Sequence, residues 1–172
     1  RDEKEKRLEE LQNYDVYLDG LRKDYEEQEQ HLRENAEAMS QIRKKYAQRL
    51  AEQIRIQLAD LNFLETGFDL EVSSRAPLSA NGFDEACFMI SMNPGSPMRP
   101  LGDVASGGEL SRIMLAIKTV LADKDQTETL IFDEIDVGIS GRTAQKVSEK
   151  MAVIARSRQV LCITHLAQIA SM

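Results

Sequence analysis

Ala105-Ser106-Gly107-Gly108-Glu109-Leu110-Ser111-Arg112, then Leu130-Ile131-Phe132-Asp133-Glu134-Ile135-Asp136, then Thr164-His165, decide how this chain folds. The first run is a glycine-rich turn that opens a helix. The second is an apolar strand that ends in two acids, and the third closes another apolar strand with a histidine. A parallel sheet delivers the C-terminal ends of its strands to one crevice, where ligands of open α/β sheets bind. The order therefore reads as half of a split site that acts on a nucleotide phosphate.

The flanking residues carry the matching periods. Leu110, Ile113, Met114, Ile117, Val120 and Leu121 have helical spacing, so a helix is expected over Glu109 to Ala122. Thr129 to Phe132 reads as a short strand, Arg142 to Ala155 as a helix with Ala144, Val147, Met151 and Ile154 on one face, and Val160 to Ile163 as another strand. Strand, helix, strand with continuous apolar runs implies a parallel sheet covered on both faces. Further upstream, Phe68, Leu70 and Val72 alternate as in a strand, and Ala86 to Met92 reads as its hairpin partner. Between them Ser73 to Asp84, with Pro77, Asn81 and Gly82, reads as a turn or loop. Asn93-Pro94-Gly95-Ser96-Pro97 then breaks the chain, and Pro100 keeps it extended.

The N-terminal third follows a different rule. Leu11, Leu18, Tyr25, Leu32, Met39 and Tyr46 recur every seven residues, with Tyr14, Leu21, Gln28, Asn35 and Ile42 three behind. This a/d pattern predicts a coiled-coil arm over 1–61, with polar Gln28 and Asn35 setting register. Leu50, Ile54, Leu58 and Leu61 are displaced by four residues from the a series, the signature of a stutter. Such a helix is about 90 Å long at 1.5 Å per residue, too long for the small lobe at 62–172 to cover. The seam needs a partner helix, either another segment of the same protein or a second chain.

Composition narrows the classes. The 172 residues carry a net charge of −7, with 30% charged and 5% aromatic residues. That balance argues for a long solvated helix beside a modest core, and against a generic nucleic-acid coat. Cys87 and Cys162 lie apart in apolar runs and read as buried thiols of a reducing compartment. No apolar run approaches the roughly 20 residues of a membrane span, so the protein reads as cytoplasmic with no membrane partner.

Each motif has a chemical use. Backbone N–H groups at a helix N-terminus attract phosphate oxygens, and Gly107 and Gly108 let an anion approach without a Cβ in the way. Ser106 adds a hydroxyl or serves as the helix cap. Asp133 suits magnesium held through water, and Glu134 suits orienting and deprotonating an attacking water. Asp136 would contact a facing subunit across a shared nucleotide, or else stabilise its own turn. His165 would donate to a terminal phosphate. Arg112 and Lys118 would neutralise phosphate or pair with acids. The complementary phosphate loop, G-x-x-x-x-G-K-[ST], does not occur in these residues. The chain thus reads as one lobe of an ATP-binding-cassette type of head, belonging to a longer protein.

The full strings are more specific. Asn93-Pro94-Gly95, Val104 to Arg112, Ile131-Phe132-Asp133-Glu134-Ile135-Asp136-Val137-Gly138-Ile139-Ser140-Gly141 and Thr164-His165-Leu166 resemble the RecN family of bacterial DNA-repair proteins, relatives of the SMC and Rad50 ATPases. The resemblance implies an α/β fold, the C-terminal lobe of an ABC-type head. Ser106, Gly107, Gly108 and Glu109 become the signature motif presented to ATP on an opposing head. Asp133 and Glu134 become the Walker B acids that serve magnesium and catalysis, Asp136 the D-loop acid, and His165 the switch histidine. It also implies an arm that is the returning half of an intramolecular antiparallel coiled coil, a homodimer closed by ATP, and action on DNA ends in double-strand-break repair and recombination. Without the lobe that carries the phosphate loop, the segment alone is expected to be inactive in ATP hydrolysis and marginally stable. Another SMC-type ATPase and a non-catalytic coiled-coil module are the competing readings.

Overall fold

The computed structural model describes residues 2–103 and 106–171, with the side chains of Asp2, Glu10, Arg75 and Ala76 excepted. Helix α1 runs unbroken over Asp2–Asp60. No proline interrupts it, and Gly20 is its only glycine. It ends where Asn62 turns left-handed at φ 70°. There the Asn62 N–H reaches the Ala59 carbonyl at 3.3 Å and the Phe63 N–H reaches Leu58 at 3.1 Å, the paired bonds of a Schellman stop.

Two compact units divide the chain, one of residues 1–43 with 74–84, the other of residues 44–73 with 85–172. In the first, Ala36 and Ser40 are buried. Ser40 Oγ donates to Asp84 at 2.8 Å, and Arg43 pairs with the same carboxylate at 3.1 Å. The heptad residues Leu11, Tyr14, Leu21, Tyr25, Leu32 and Ile42 are exposed.

In the second unit the last turns of α1 bury Ala47, Ala51, Ile54 and Leu58, and Leu61 just after the helix is buried with them. The expected stutter set thus faces the lobe, with Leu50 packed at its margin. The same core takes Ile113, Leu115 and Ala116 from helix α2 (Gly107–Val120) and Ala144, Val147 and Ile154 from helix α3 (Gly141–Ala155). Lys150 of α3 donates to Gln57 and Asp60 of α1, and the ammonium holds the Asp60 carboxyl below its ordinary range.

Strands β1 (Gly67–Ser79), β2 (Gly82–Ser91) and β3 (Arg99–Pro100) form one sheet in that order. The expected loop at Ser73 to Asp84 is corrected here. Both strands continue through it, and only Ala80 and Asn81 turn the chain, with Gly82 at φ 85°. Pro77 is tolerated because β1 is an edge strand, where a missing N–H breaks no interior ladder. Pro100 likewise lies in a strand, its residue paired with Met89.

The second sheet pairs β4 (Thr129–Phe132) and β5 (Gln159–Cys162) in parallel, Thr129 opposite Gln159 and Phe132 opposite Cys162. The α3 crossover joins them, and the short helix α4 (Ala167–Ala170) follows. Leu130 and Phe132 face the helices, but Ile131, Leu161 and Ile163 remain 67%, 47% and 58% exposed. Coverage of both faces is therefore not what the described residues have, because alternate side chains of a strand point to opposite faces and the helices lie on one. Cys87 also departs from expectation: it is exposed in the middle of β2, while Cys162 is half-buried, and both are free thiols.

Candidate functional site

Helix α2 begins at Gly107, two residues before the expected start, because Ser106 is its cap and Glu109 its third residue. One Glu109 carboxylate oxygen accepts the Ser106 N–H at 3.1 Å and the Ser106 hydroxyl at 2.7 Å. This is the acidic arm of a capping box. The two Ser106 bonds, hydroxyl then amide, hold the Glu109 carboxyl below its ordinary value. Val104 and Ala105 lie outside the described residues.

The glycines answer a demand of this chain itself. A Cβ on Gly108 would stand 2.7 Å from the Glu134 carbonyl oxygen and 3.1 Å from Val137 Cβ, and one on Gly107 would collide with the Glu134 carboxylate. The first turn of α2 is thereby packed against the turn that leaves β4. Ser111 Oγ strengthens the junction with a 2.7 Å bond to the Asp133 carbonyl.

In that turn Asp133 and Glu134 are both exposed. Asp133 Oδ1 accepts the Glu134 N–H at 2.9 Å, and Glu134 is left-handed at φ 56°. Such a backbone is unfavourable for a residue with a long side chain and is found where surrounding structure enforces it. Gly138, at φ 75°, completes the turn.

Asp136 is only 6% exposed. Its Oδ2 accepts the Thr164 hydroxyl and the His165 N–H, each at 2.6 Å, while Oδ1 is buried without a partner. Burial opposes its charge, but the Thr164 and His165 bonds outweigh that and keep the carboxyl below its usual range. Thr164 in turn accepts the Leu166 N–H at 3.1 Å. The loop after β5 is thus fastened to the loop after β4, with the His165 side chain exposed at its edge.

Sequence reasoning missed the part played by Arg112. Among the described residues its guanidinium hydrogen-bonds to no carboxylate, and Glu109 acts on its charge only through space. The guanidinium donates to the Val137 carbonyl at 2.8 Å and the Ile135 carbonyl at 3.3 Å, and lies over the Phe63 ring at 5.6 Å. Desolvation lowers its pKa from the ordinary arginine value. Lys118 does pair with an acid, Asp125, which is held low by that ammonium and by Thr127. A groove of about 480 Å³ borders this region, lined among others by Phe63, Asn93, Glu109, Arg112 and Gly138. Among the described residues no group of three or more His, Cys, Asp or Glu side chains is placed to hold a metal.

Ser106 to Glu109, Asp133 to Asp136, and Thr164-His165 thus meet at the C-terminal ends of two parallel strands. No family model matches the chain. The DNA repair protein RecN of Bacillus subtilis (strain 168) is 39% identical over 183 residues, covering 98% of this chain and 32% of that protein. RecN of Halalkalibacterium halodurans is 41% identical over 172 residues, covering 98% and 30%.

The chain belongs to the RecN family.

It spans about a third of the length of the curated RecN relatives it matches. The Smc head domain with an extended coiled coil from Pyrococcus furiosus, solved with the C-terminal domain of ScpA, matches 76% of the chain and 31% of its own at a TM-score of 0.51 and 16% identity. The fold of this RecN segment is accordingly that of the Smc head domain, α/β with a long helix. None of its described helices is long and apolar enough to cross a membrane.

Proposed function

We propose that the complete protein is an ATP-hydrolysing DNA double-strand-break repair and recombination protein. This segment supplies the half-site that faces a nucleotide held at a second head. The convergence of the three motifs at one sheet end carries the reading, since strand ends and a glycine-opened helix are where phosphates bind.

The residues suit both groups. Gly107 and Gly108 form the first turn of α2, and N–H groups at a helix N-terminus suit phosphate oxygens, which would approach beside the Glu134 turn that packs there. Ser106 and Glu109 would flank that position, the serine hydroxyl exchanging its bond to Glu109 for one to phosphate. Asp133 alone suits magnesium, which keeps most of its water and binds through one or two carboxylates beside phosphates. The ion would neutralise phosphate charge. Glu134 would orient water and take its proton, and the exposed His165 would donate to the terminal phosphate. Asp136 would hold the histidine loop in place while the D-loop meets the facing head.

The exposed seam from Leu11 to Ile42 supports a partner helix, read as the other half of an antiparallel coil within the same protein. Homodimeric heads closed around ATP, DNA ends as the partner, and a cytoplasmic, nucleoid-associated setting complete the proposal. The test is ATP turnover by the complete protein, with and without linear DNA. Glu134→Gln should lower kcat by about 100-fold or more and accumulate an ATP-bound dimer. Unchanged turnover in that variant sinks the reading.

A further inference from the structure

We infer that Arg112 is a positioning residue that ties the root of the arm to both catalytic loops, with Phe63 as its anchor. The inference rests on the ATPase reading above for its kinetic consequence and on geometry for the linkage itself.

The bonds run without a gap. Phe63 follows Asn62, the left-handed residue that stops α1, and so belongs to the arm's root. Its ring carries the Arg112 guanidinium at 5.6 Å. Arg112 sits on α2, a little over one turn beyond the signature glycines, and reaches across to the carbonyls on either side of Asp136. Asp136 then grips Thr164 and the His165 amide. A shift of Phe63 changes where the guanidinium sits. The Ile135 and Val137 carbonyls move with it, and the Asp136 carboxylate and the histidine loop follow. Coupling between sites can be carried by packed side chains and hydrogen bonds in contact with one another, and substitutions along them measure it.

A merely space-filling role accounts poorly for an arginine here. The residue is 7% exposed, and among the described residues it hydrogen-bonds to no carboxylate and its Nε is buried without a partner. Burying a charge against carbonyls and a ring, with Glu109 attracting it only through space, costs free energy that an apolar side chain of similar length would not. What an arginine adds is a planar guanidinium whose single Nη1 donates to both carbonyls while its face lies over a ring.

The test uses the complete protein and two readouts. In steady-state turnover, Arg112→Lys, which keeps charge but loses the planar face that lies over Phe63, should lower kcat about 10-fold with the KM for ATP within about two-fold. Phe63→Leu should lower kcat about three- to ten-fold, and the double variant should fall no further than Arg112→Lys alone, since both act through one path. In hydrogen exchange without nucleotide, Phe63→Leu should speed exchange of the Val137 and His165 amides about 10-fold, and leave core amides of α3 unchanged. Wild-type exchange at both amides in Phe63→Leu, or additive losses in the double variant, overturns the proposal. If the wild type shows no Glu134-dependent turnover, the ATPase reading has failed, and the exchange measurement still decides the linkage.

Discussion

Asp136 does at the scale of one residue what the sequence left divided between two roles. A strand-end acid reads equally as a contact for a facing subunit or as a stabiliser of its own turn. The structure has it bonding across to a neighbouring strand's loop, through the Thr164 hydroxyl and the His165 amide. Its carboxyl is depressed below the unfolded value, so its contribution to stability is fully present above about pH 4 and fades as pH falls through the folded value. Asp136→Asn should therefore cost about 1–3 kcal/mol at pH 7, with the deficit against wild type shrinking in urea titrations at pH 3.5. An equal deficit at both pH values would show that the charge is irrelevant. Glu134 shows a different tension: its side chain suits water activation while its backbone adopts a conformation that glycine or asparagine would hold more easily.

Among the elements, α1 separates two kinds of helix surface within a few residues. Ile54 is fully buried and Ile56 is exposed, though both are isoleucines on one helix. Ile54→Ala should destabilise the lobe by about 2–5 kcal/mol. Ile56→Ala should stay within about 0.5 kcal/mol, as measured by urea denaturation. Much of this level was readable beforehand. The strand at Thr129 to Phe132 has the expected bounds, and α3 starts one residue early, at Gly141. The stutter marked the place where α1 turns its face to the lobe. Hidden from any count of large apolar residues was the stripe of Ala36, Ser40, Ala47 and Ala51, since small side chains give a hydrophobic period little weight yet allow close packing. The long hairpin was hidden because Pro77 reads as a breaker unless its strand is known to be an edge. That Ser106 to Glu109, Asp133 to Asp136 and Thr164-His165 would come together was legible because strand ends gather. The role of Arg112 was not, since its partners are carbonyls, which every residue carries.

For the whole molecule, the face of β4 and β5 bearing Ile131, Leu161 and Ile163 matters most. Apolar side chains on a two-stranded parallel sheet are a liability for an isolated segment. Ile131→Thr with Ile163→Thr keeps the β-branched shape that strands favour. The pair should raise soluble yield of the isolated segment while leaving its melting temperature within a few degrees, because neither side chain is in the core. A lower yield would mean that the face already has a use within this chain. The same face makes folding a contest between orders of reaction. Covering it from within one protein is a first-order event, indifferent to dilution, whereas sticking to a neighbour is second-order and accelerates with concentration. Renaturation should therefore succeed in dilute solution and fail progressively as protein is added, so that crowding sets the practical ceiling on how quickly a cell can make it.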